Sequence, residues 1–300
     1  MTFDVVGVGA LNLDKLFKVN MIAKEEEEAA VLDFKESGGG SAANTVVGLA
    51  RLELRTGFIG TVASDREGKF LLEEFRKEGV DINGITVSKY GRSGTVMGYI
   101  DTKGDRALYV DPGVNDQLDL NDIDLEYVSG TEFVHLSSFV AEKPFKAQKT
   151  LISKLSGVRT CFDPGALYAR KGLAALKPLI KRSYAVFPNE NEVRLLTGQD
   201  YQEGAKKLIE LGAELVAVKL GKRGCYVSDG KEKHLIEPYK VDAVDTTGAG
   251  DAFCAGFIYG LIKRKDLYEC GRLGNFVASR CVLAMGARTG LPRLADLKNL

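Results

Sequence analysis

From residue 131 onward the chain keeps a strict rhythm of short apolar strands and amphipathic helices, which narrows its fold more than any other feature. Strands are predicted at 131–136, 158–163, 184–188, 214–219 and 224–228. Helices are predicted at 145–156, 172–182, 190–196, 202–211, 249–264 and 270–285. Strands alternating with helices imply a parallel sheet covered on both faces. The front of the chain adds a buried strand at 3–9, a strand at 56–62, and a helix at 66–77 ended by Gly79. Two stretches break the rhythm. Residues 15–36 alternate irregularly around the acid run Glu25 to Glu28, which reads as a solvated tip between strands. Residues 94–110 read as a hairpin turning at Thr102 to Asp105. Together these two form a small sheet outside the main body. The expectation is an α/β fold with a mostly parallel sheet.

The chain has 300 residues, enough for one large core or for one core plus a small appendage. Lys plus Arg and Asp plus Glu number 41 each, so the charge balance points to neither nucleic acid nor an anionic membrane. No apolar run approaches the roughly 20 residues a bilayer-spanning helix needs. The N-terminal MTFDVVGVG lacks a basic leader and reads as a strand, so a cytoplasmic protein is expected. Five cysteines are scattered without C-x-x-C spacing, which implies buried, reduced thiols. His135 and His234 fit no metal-ligand pattern.

Residues 245–257, DTTGAGDAFCAGF, concentrate the chemistry. Gly248-Ala249-Gly250 carries almost no side chain, so its N–H groups are able to face an anion closely. A helical pattern follows, with Phe253, Gly256, Phe257 and Gly260 spaced as one packed face. A small-residue turn opening a helix binds anions, because the first N–H groups lack partners and the helix dipole favours negative charge. Asp251 sits inside that turn, where a carboxylate beside a phosphate suits a general base. An Asp near a helix start also serves as a cap or dipole partner, and this segment alone does not separate the two readings.

A second glycine run, Ser37 to Asn44, opens a second amphipathic helix. A flexible linker would not feed directly into a helix needing packing, so a ligand-facing turn is favoured, with Asn44 pointing into the site. Asn12 and Asp14 follow the first strand, at the end where α/β sheets bind ligands, although loop-forming polar residues explain them as well. Gly7-Val8-Gly9 is not a G-x-G-x-x-G dinucleotide motif. Asn189 and Glu192 lie three apart on the opening turn of a helix, and a capping box or a water-mediated Mg²⁺ contact explains them equally. Lys219 to Gly224 makes a tight turn between strands and is no P-loop. Gly286 to Gly290 follows a helix and offers backbone groups.

These motifs, in this order, resemble the PfkB family of carbohydrate kinases, which has the ribokinase-like fold. Gly39-Gly40-Ser41-Ala42-Ala43-Asn44 matches its early motif and Asp245 to Asp251 its late one. Asn189 to Glu192 looks like its N-x-x-E. The resemblance covers essentially the whole chain. It implies a single domain over 1–300, a three-layer α/β sandwich with a β lid formed by about 15–36 and 89–112. It further implies that Asp251 is the catalytic base and that Gly248, Ala249 and Gly250 form the anion hole. Asn12, Asp14, Gly39, Gly40 and Asn44 would hold the acceptor. Asn189, Lys219, Gly221, Gly224 and Asn275 would lie along ATP, with Glu192 helping to place Mg²⁺. Asp245, Thr247, Cys281, Ala284, Gly286 and Gly290 match the positions holding a monovalent cation such as K⁺. A homodimer through the lid is expected, since edge strands tend to be covered.

The acceptor is where the motifs run out. Ser137 or Ser138 stands where ribokinases have a sugar-contacting Glu. Asp163-Pro164-Gly165 lacks the Asp-Pro-Asn-x-Arg of fructose and ketodeoxygluconate kinases. Met97, Tyr99 and Phe139 would suit a nucleobase pocket, but a hairpin core is the favoured use. A sugar is the favoured acceptor and a nucleoside the alternative. A regulator binding sugar and nucleotide without turnover has no need of Asp251.

Overall fold

A computed structural model describes residues 2–102 and 106–299. Its strands, in chain order, are β1 Phe3–Val8, β2 Asn12–Val19, β3 Val31–Gly39, β4 Thr56–Ala63, β5 Ile85–Ser88, β6 Gly94–Ile100, β7 Arg106–Asp111, β8 Thr131–Leu136, β9 Arg159–Phe162, β10 Ala185–Val186, β11 Leu215–Lys219, β12 Cys225–Ser228 and β13 Lys233–Ile236. The helices are α1 Ser41–Arg51, α2 Arg66–Lys77, α3 Leu125–Ser129, α4 Glu142–Lys154, α5 Gly165–Ala169, α6 Leu173–Lys181, α7 Glu190–Thr197, α8 Tyr201–Glu210, α9 Ala249–Ile262 and α10 Leu267–Cys281.

Nine strands form the main sheet in the order β13-β12-β11-β10-β9-β8-β1-β4-β5. Those from β11 to β5 run parallel, and β12 and β13 close one edge antiparallel. The parallel strands are apolar on both faces, as a covered sheet requires. Val6, Val8, Val134, Leu136, Val216 and Val218 meet α4, α6, α7 and α8. Val5, Phe133, Phe187 and Ala217 meet α9 on the opposite face. The result is three layers. Strand β10 shrinks from the predicted five residues to two, since Pro188 has no N–H to extend a ladder. Strands β5 and β13 and helices α3 and α5 were not expected, because each is short and weakly periodic.

The packed face predicted on α9 divides in two. Phe253 and Phe257 meet the ring of Phe187 edge to face. A Cβ on Gly256 would come 2.4 Å from the Leu273 carbonyl oxygen, so the small residues admit α10 instead. All five cysteines are buried and free, as expected. No helix among the described residues is long and apolar enough to cross a membrane.

The lid is a four-stranded sheet, β3-β2-β6-β7. It starts earlier than predicted. Asn12 and Asp14 belong to β2 rather than to the end of a main-sheet strand, and Gly38 and Gly39 are the last residues of β3, paired with Leu13 and Asn12. The glycine run is therefore a strand end and not a turn up to Gly40, where the chain swings into α1 at φ 103°. Of the predicted 102–105 hairpin turn, residues 103–105 lie outside the described residues. Glycine is required at Gly39, where a Cβ would sit 2.3 Å from both carboxylate oxygens of Asp14. The lid is tied to the body by Lys15–Glu67 at 3.0 Å, by Arg66–Glu36, and by Lys35 Nζ donating to Met285 O at 3.0 Å. These ties are solvent-accessible and each contributes at most about 1 kcal/mol.

Candidate active site

The late motif opens α9. Gly248 caps the helix in the left-handed region at φ 77°, and a Cβ there would strike Ala287 at 2.5 Å. Only glycine lets the 245–248 turn lie so close to the 286–290 loop. The N–H groups of Gly250 and Asp251 fall in the first helical turn, where intrahelical carbonyls are lacking.

Asp251 faces the early helix. Its Oδ2 accepts from Asn44 Nδ2 at 2.8 Å, and its carbonyl accepts from Thr45 Oγ1 at 3.1 Å. Asn44 Oδ1 in turn accepts from Arg288 Nε at 2.9 Å. An amide is what this position needs, because one end must donate to a carboxylate and the other accept from a guanidinium. Arg288 also donates to Gly39 O at 3.3 Å and lies 3.6 Å from Glu74, which accepts from Gly38 N. A chain of polar contacts thus joins the lid, α1, α2, the 286–290 loop and α9. Burial pushes Asp251 up to about 7; the Asn44 hydrogen bond opposes this, Asp163 reinforces it and Lys219 opposes it. Burial likewise pushes Asp14 up to about 7, against the attraction of Arg288.

Two cavities meet at this turn. One, of about 430 Å³, is lined by Lys219, Gly221, Gly224, Ala249 and Asn275. The other, of about 390 Å³, is lined by Asn12, Asp14, Gly40, Asn44, Gly248 and Asp251. Thr246 and Gly250 line both. Asn275 lines its cavity with its amide nitrogen already donating to the carbonyls of Ile236 and Glu237. Gly39 does not line the second cavity and acts through its neighbours.

Asn189 and Glu192 resolve into a capping box. Both Glu192 oxygens accept from Asn189, at 2.8 Å each, and Asn189 Oδ1 accepts from Glu192 N. Neither residue lines either of these two cavities. Burial and the nearby Asp163 raise Glu192 to about 6. Lys219, bridged to Asn189 along the backbone, turns its ammonium onto Asp163 at 2.5 Å. Burial works against its charge, but Asp163, Cys254 and Glu192 together outweigh that and hold the ammonium well above the usual lysine range. A Cβ on Gly250 would lie 3.4 Å from Lys219 Nζ, so this cation sits beside the helix start.

The six residues matched to a monovalent cation come from the 245–247 loop and from the end of α10 with the loop after it, and these segments touch. Asp245 Oδ2 accepts from Gly286 N at 2.8 Å, and its Oδ1 accepts from Thr247. Cys281 Sγ points at the carbonyls of Thr247 and Ala287, and a Cβ on Gly290 would meet Cys281 O at 2.5 Å. Ala284 lies half-buried between them.

The two serines divide. Ser137 Oγ accepts from Ala42 N in the interior, while Ser138 lines the second cavity. Phe139 lines that cavity too, whereas Tyr99 stacks on Phe17 and Met97 shares its lid face. Burial drives His135 down to about 4, leaving it neutral and sealed off. Two site residues escaped the motifs, Asp163 and Arg288. Asp163 had one signal, a lone acid at the end of an apolar strand. Arg288 stood in a segment valued for its backbone.

A family model described as pfkB family carbohydrate kinase matches residues 3–294. An uncharacterized sugar kinase of Archaeoglobus fulgidus is 44% identical over 253 residues, covering 83% of this chain and all of that protein. An ATP-dependent ribose-1-phosphate kinase of Halopiger xanaduensis is 30% identical over 95% of this chain and 94% of its own. The crystal structure of a ribokinase from Thermotoga maritima superposes with a TM-score of 0.89 at 26% identity, covering 99% of this chain and 98% of that one. The architecture is therefore ribokinase-like, with the small sheet as its lid. A family match over nearly the full length, with a relative at 44% identity, establishes that this chain belongs to the pfkB family of carbohydrate kinases.

Proposed function

We propose that this sugar kinase binds ATP in the cavity beside Lys219 and its acceptor in the cavity beside Asp14, with the phosphoryl group crossing at Gly250 and Asp251. The observation that carries this reading is the shared wall: Thr246 and Gly250 line both cavities, and Asp251 lines the acceptor side. In-line transfer asks the protein mainly for positioning and charge stabilisation. Asp14 and Asn12 hold acceptor hydroxyls. Asp251 takes the proton of the attacking hydroxyl, and the N–H groups of the Gly248–Gly250 turn meet charge on the phosphoryl oxygens. Lys219, Gly221 and Gly224 flank the donor. A ribokinase-like neighbour at 23% identity is described in complex with ATP and Mg²⁺.

Mg²⁺ fits this chain as an ion carried by phosphates and water. No cluster of three His, Cys, Asp or Glu side chains able to hold a metal occurs among the described residues, and Mg²⁺ usually needs only one or two carboxylates. Glu192, buried and already held by Asn189, would act on it through water. When bound, Mg²⁺ offsets the charge of the transferring phosphates. K⁺ would be held by carbonyls of the 245–247 and 281–290 loops. Turnover rising with K⁺ but not with a bulky organic cation supports that site.

Asp14 and Asp251 give the reaction a pH signature. Both must be ionised, and both are raised to about 7. The catalytic contribution is present above that pH and lost as pH falls through it. kcat/KM for the acceptor is expected to fall below about pH 7 with a slope steeper than one proton, reduced to one in Asp14→Asn. A profile flat down to pH 5 would contradict the assignment.

The lid also supports a homodimer. Paired residues put Phe17, Phe34, Met97, Tyr99 and Tyr109 on the lid face turned away from the acceptor cavity. Phe34 is 47% exposed and Tyr109 60%. A dimer is expected at micromolar concentration in sedimentation, and Phe34→Asp with Tyr109→Asp is expected to give monomers. A monomeric wild-type protein under those conditions rules out this interface.

A further inference from the structure

We propose that Arg288 is a positioning residue of the transfer: from behind the acceptor cavity it fixes the amide of Asn44 toward Asp251 and clasps the end of β3, which belongs to the lid. This rests on the kinase reading above, with Asp251 as the base, and adds to it a residue that lines neither of the two cavities. Arg288 is 7% exposed. Burial lowers it from the usual arginine range, while Glu74, Asp14 and Glu78 favour its charge. Burying a guanidinium opposes folding unless it is paired, and a loop that only needed filling would be served by an apolar side chain.

The near end of the guanidinium sets Asn44. Arg288 Nε donates to Asn44 Oδ1 at 2.9 Å, and Asn44 Nδ2 donates to Asp251 Oδ2 at 2.8 Å. A carboxamide has two ends of similar shape, and turned over it would set its oxygen against the Asp251 carboxylate. The guanidinium forbids this, because it has no acceptor to offer the amide nitrogen. Asp251 Oδ2 is therefore engaged by a donor rather than faced by a second oxygen. That bond favours the ionised carboxylate, which burial opposes.

The far end reaches the lid. Nη2 donates to Gly39 O at 3.3 Å, and Nη1 lies 3.6 Å from Glu74 Oε2, which accepts from Gly38 N at 3.1 Å. Arginine and glutamate thus hold adjoining residues at the end of β3, one by its carbonyl and the other by its N–H. A Cβ on Gly38 would come 2.4 Å from Nη1 and 2.8 Å from Glu74 Oε2, so the bare glycine is what admits the pair. Gly39 pairs with Asn12, and the Asp14 carboxylate lies against it, so the clasp also bears on the strand that carries the acceptor side chains. Arg288 is itself held. Arg51 Nη1 donates to the carbonyls of Arg288 and Leu291 at 2.6 and 3.1 Å, and the guanidinium lies 5.4 Å from the centre of the Phe75 ring.

Two substitutions of equal length separate these jobs. Glutamine carries its amide nitrogen on Cδ, where arginine carries Nε, so Arg288→Gln keeps a donor for Asn44 and loses the reach to Gly39 and Glu74. Methionine puts a methyl group there, so Arg288→Met loses both. Steady-state rates are measured with ATP and Mg²⁺, using whichever of ribose, fructose, ribose 1-phosphate, adenosine and cytidine the wild type phosphorylates fastest. In Arg288→Gln, kcat is expected to stay within about threefold of wild type while acceptor KM rises about tenfold, the scale of one charge-assisted hydrogen bond. In Arg288→Met, KM rises as much and kcat also falls by about 10- to 100-fold, as misplacing a reacting group does. An unchanged KM for ATP reports that each variant is folded. Equal kcat in the two variants overturns the role through Asn44, and an unchanged acceptor KM in Arg288→Gln overturns the clasp. Where Arg288→Met does not fold, Arg288→Gln decides alone: a kcat lowered about tenfold with a nitrogen still at the Nε position overturns the role through Asn44. Turnover that survives Asp251→Asn overturns the reading on which this rests, whatever Arg288 does.

Discussion

Asp251→Asn is expected to lower kcat by about 100-fold or more while both ligands still bind, the usual scale for loss of a positioned base. The substitution keeps the shape of the side chain. An amide oxygen is still able to accept from Asn44 Nδ2, now 2.8 Å from the carboxylate, so the contact between α1 and α9 survives. What disappears, on the proposed role, is the site that takes a proton from the attacking hydroxyl. It also removes a negative charge beside the incoming phosphate, which works toward tighter nucleotide binding. The paired result, slower chemistry without weaker binding, is measured by initial rates together with calorimetric titration of each ligand. Turnover within about tenfold of wild type would mean that Asp251 is a helix cap and that the proton leaves by another route.

Lys219→Met is expected to act on both catalysis and stability. The ammonium lies beside the start of α9 and lines the donor cavity, where a fixed cation opposes charge on the transferring group. Removing one such electrostatic donor lowers kcat by about 100- to 1,000-fold. It also strands Asp163, 7% exposed at its side chain, without the ion that lies 2.5 Å away. Breaking a buried pair from one side destabilises by about 3–5 kcal/mol. The two effects separate in a double variant. Lys219→Met with Asp163→Asn removes the uncompensated charge, so most of the stability should return while activity stays low. Recovery of activity in the double variant would show that Lys219 serves only to neutralise Asp163.

The sequence made the candidate centre legible and left the residues packed around it hidden, for physical reasons. Gly248 to Asp251 and Gly40 to Asn44 are local: each is a small-residue approach to a helix start, and the residues that make the turn are neighbours in the chain. The parallel sheet was legible because buried strands advertise themselves as apolar runs. Arg288 was not, because its partners Asn44, Gly39 and Glu74 are more than 200 residues away. Asp163 and Lys219 are 56 residues apart and meet only because β9 and β11 flank β10. The glycines before α1 were misjudged as a turn, since glycine runs suggest bends. Here Gly39 pairs with Asn12 in a strand, and it is glycine because the Asp14 carboxylate occupies the space a side chain would need. Asn189 and Glu192 show the reverse case, where spacing alone fitted two uses and the hydrogen bonds identified a capping box.

The most direct test of the account is acceptor-dependent release of ADP, followed together with formation of phosphorylated acceptor, in wild type and in Asp251→Asn. Donor and acceptor cavities that meet at one turn predict ADP and phosphorylated acceptor in equal amounts, little ADP without acceptor, and loss of both products in the variant. Binding of ATP and acceptor to the wild-type protein with no ADP formed would contradict it, and would make this chain a sensor of the two ligands rather than a catalyst.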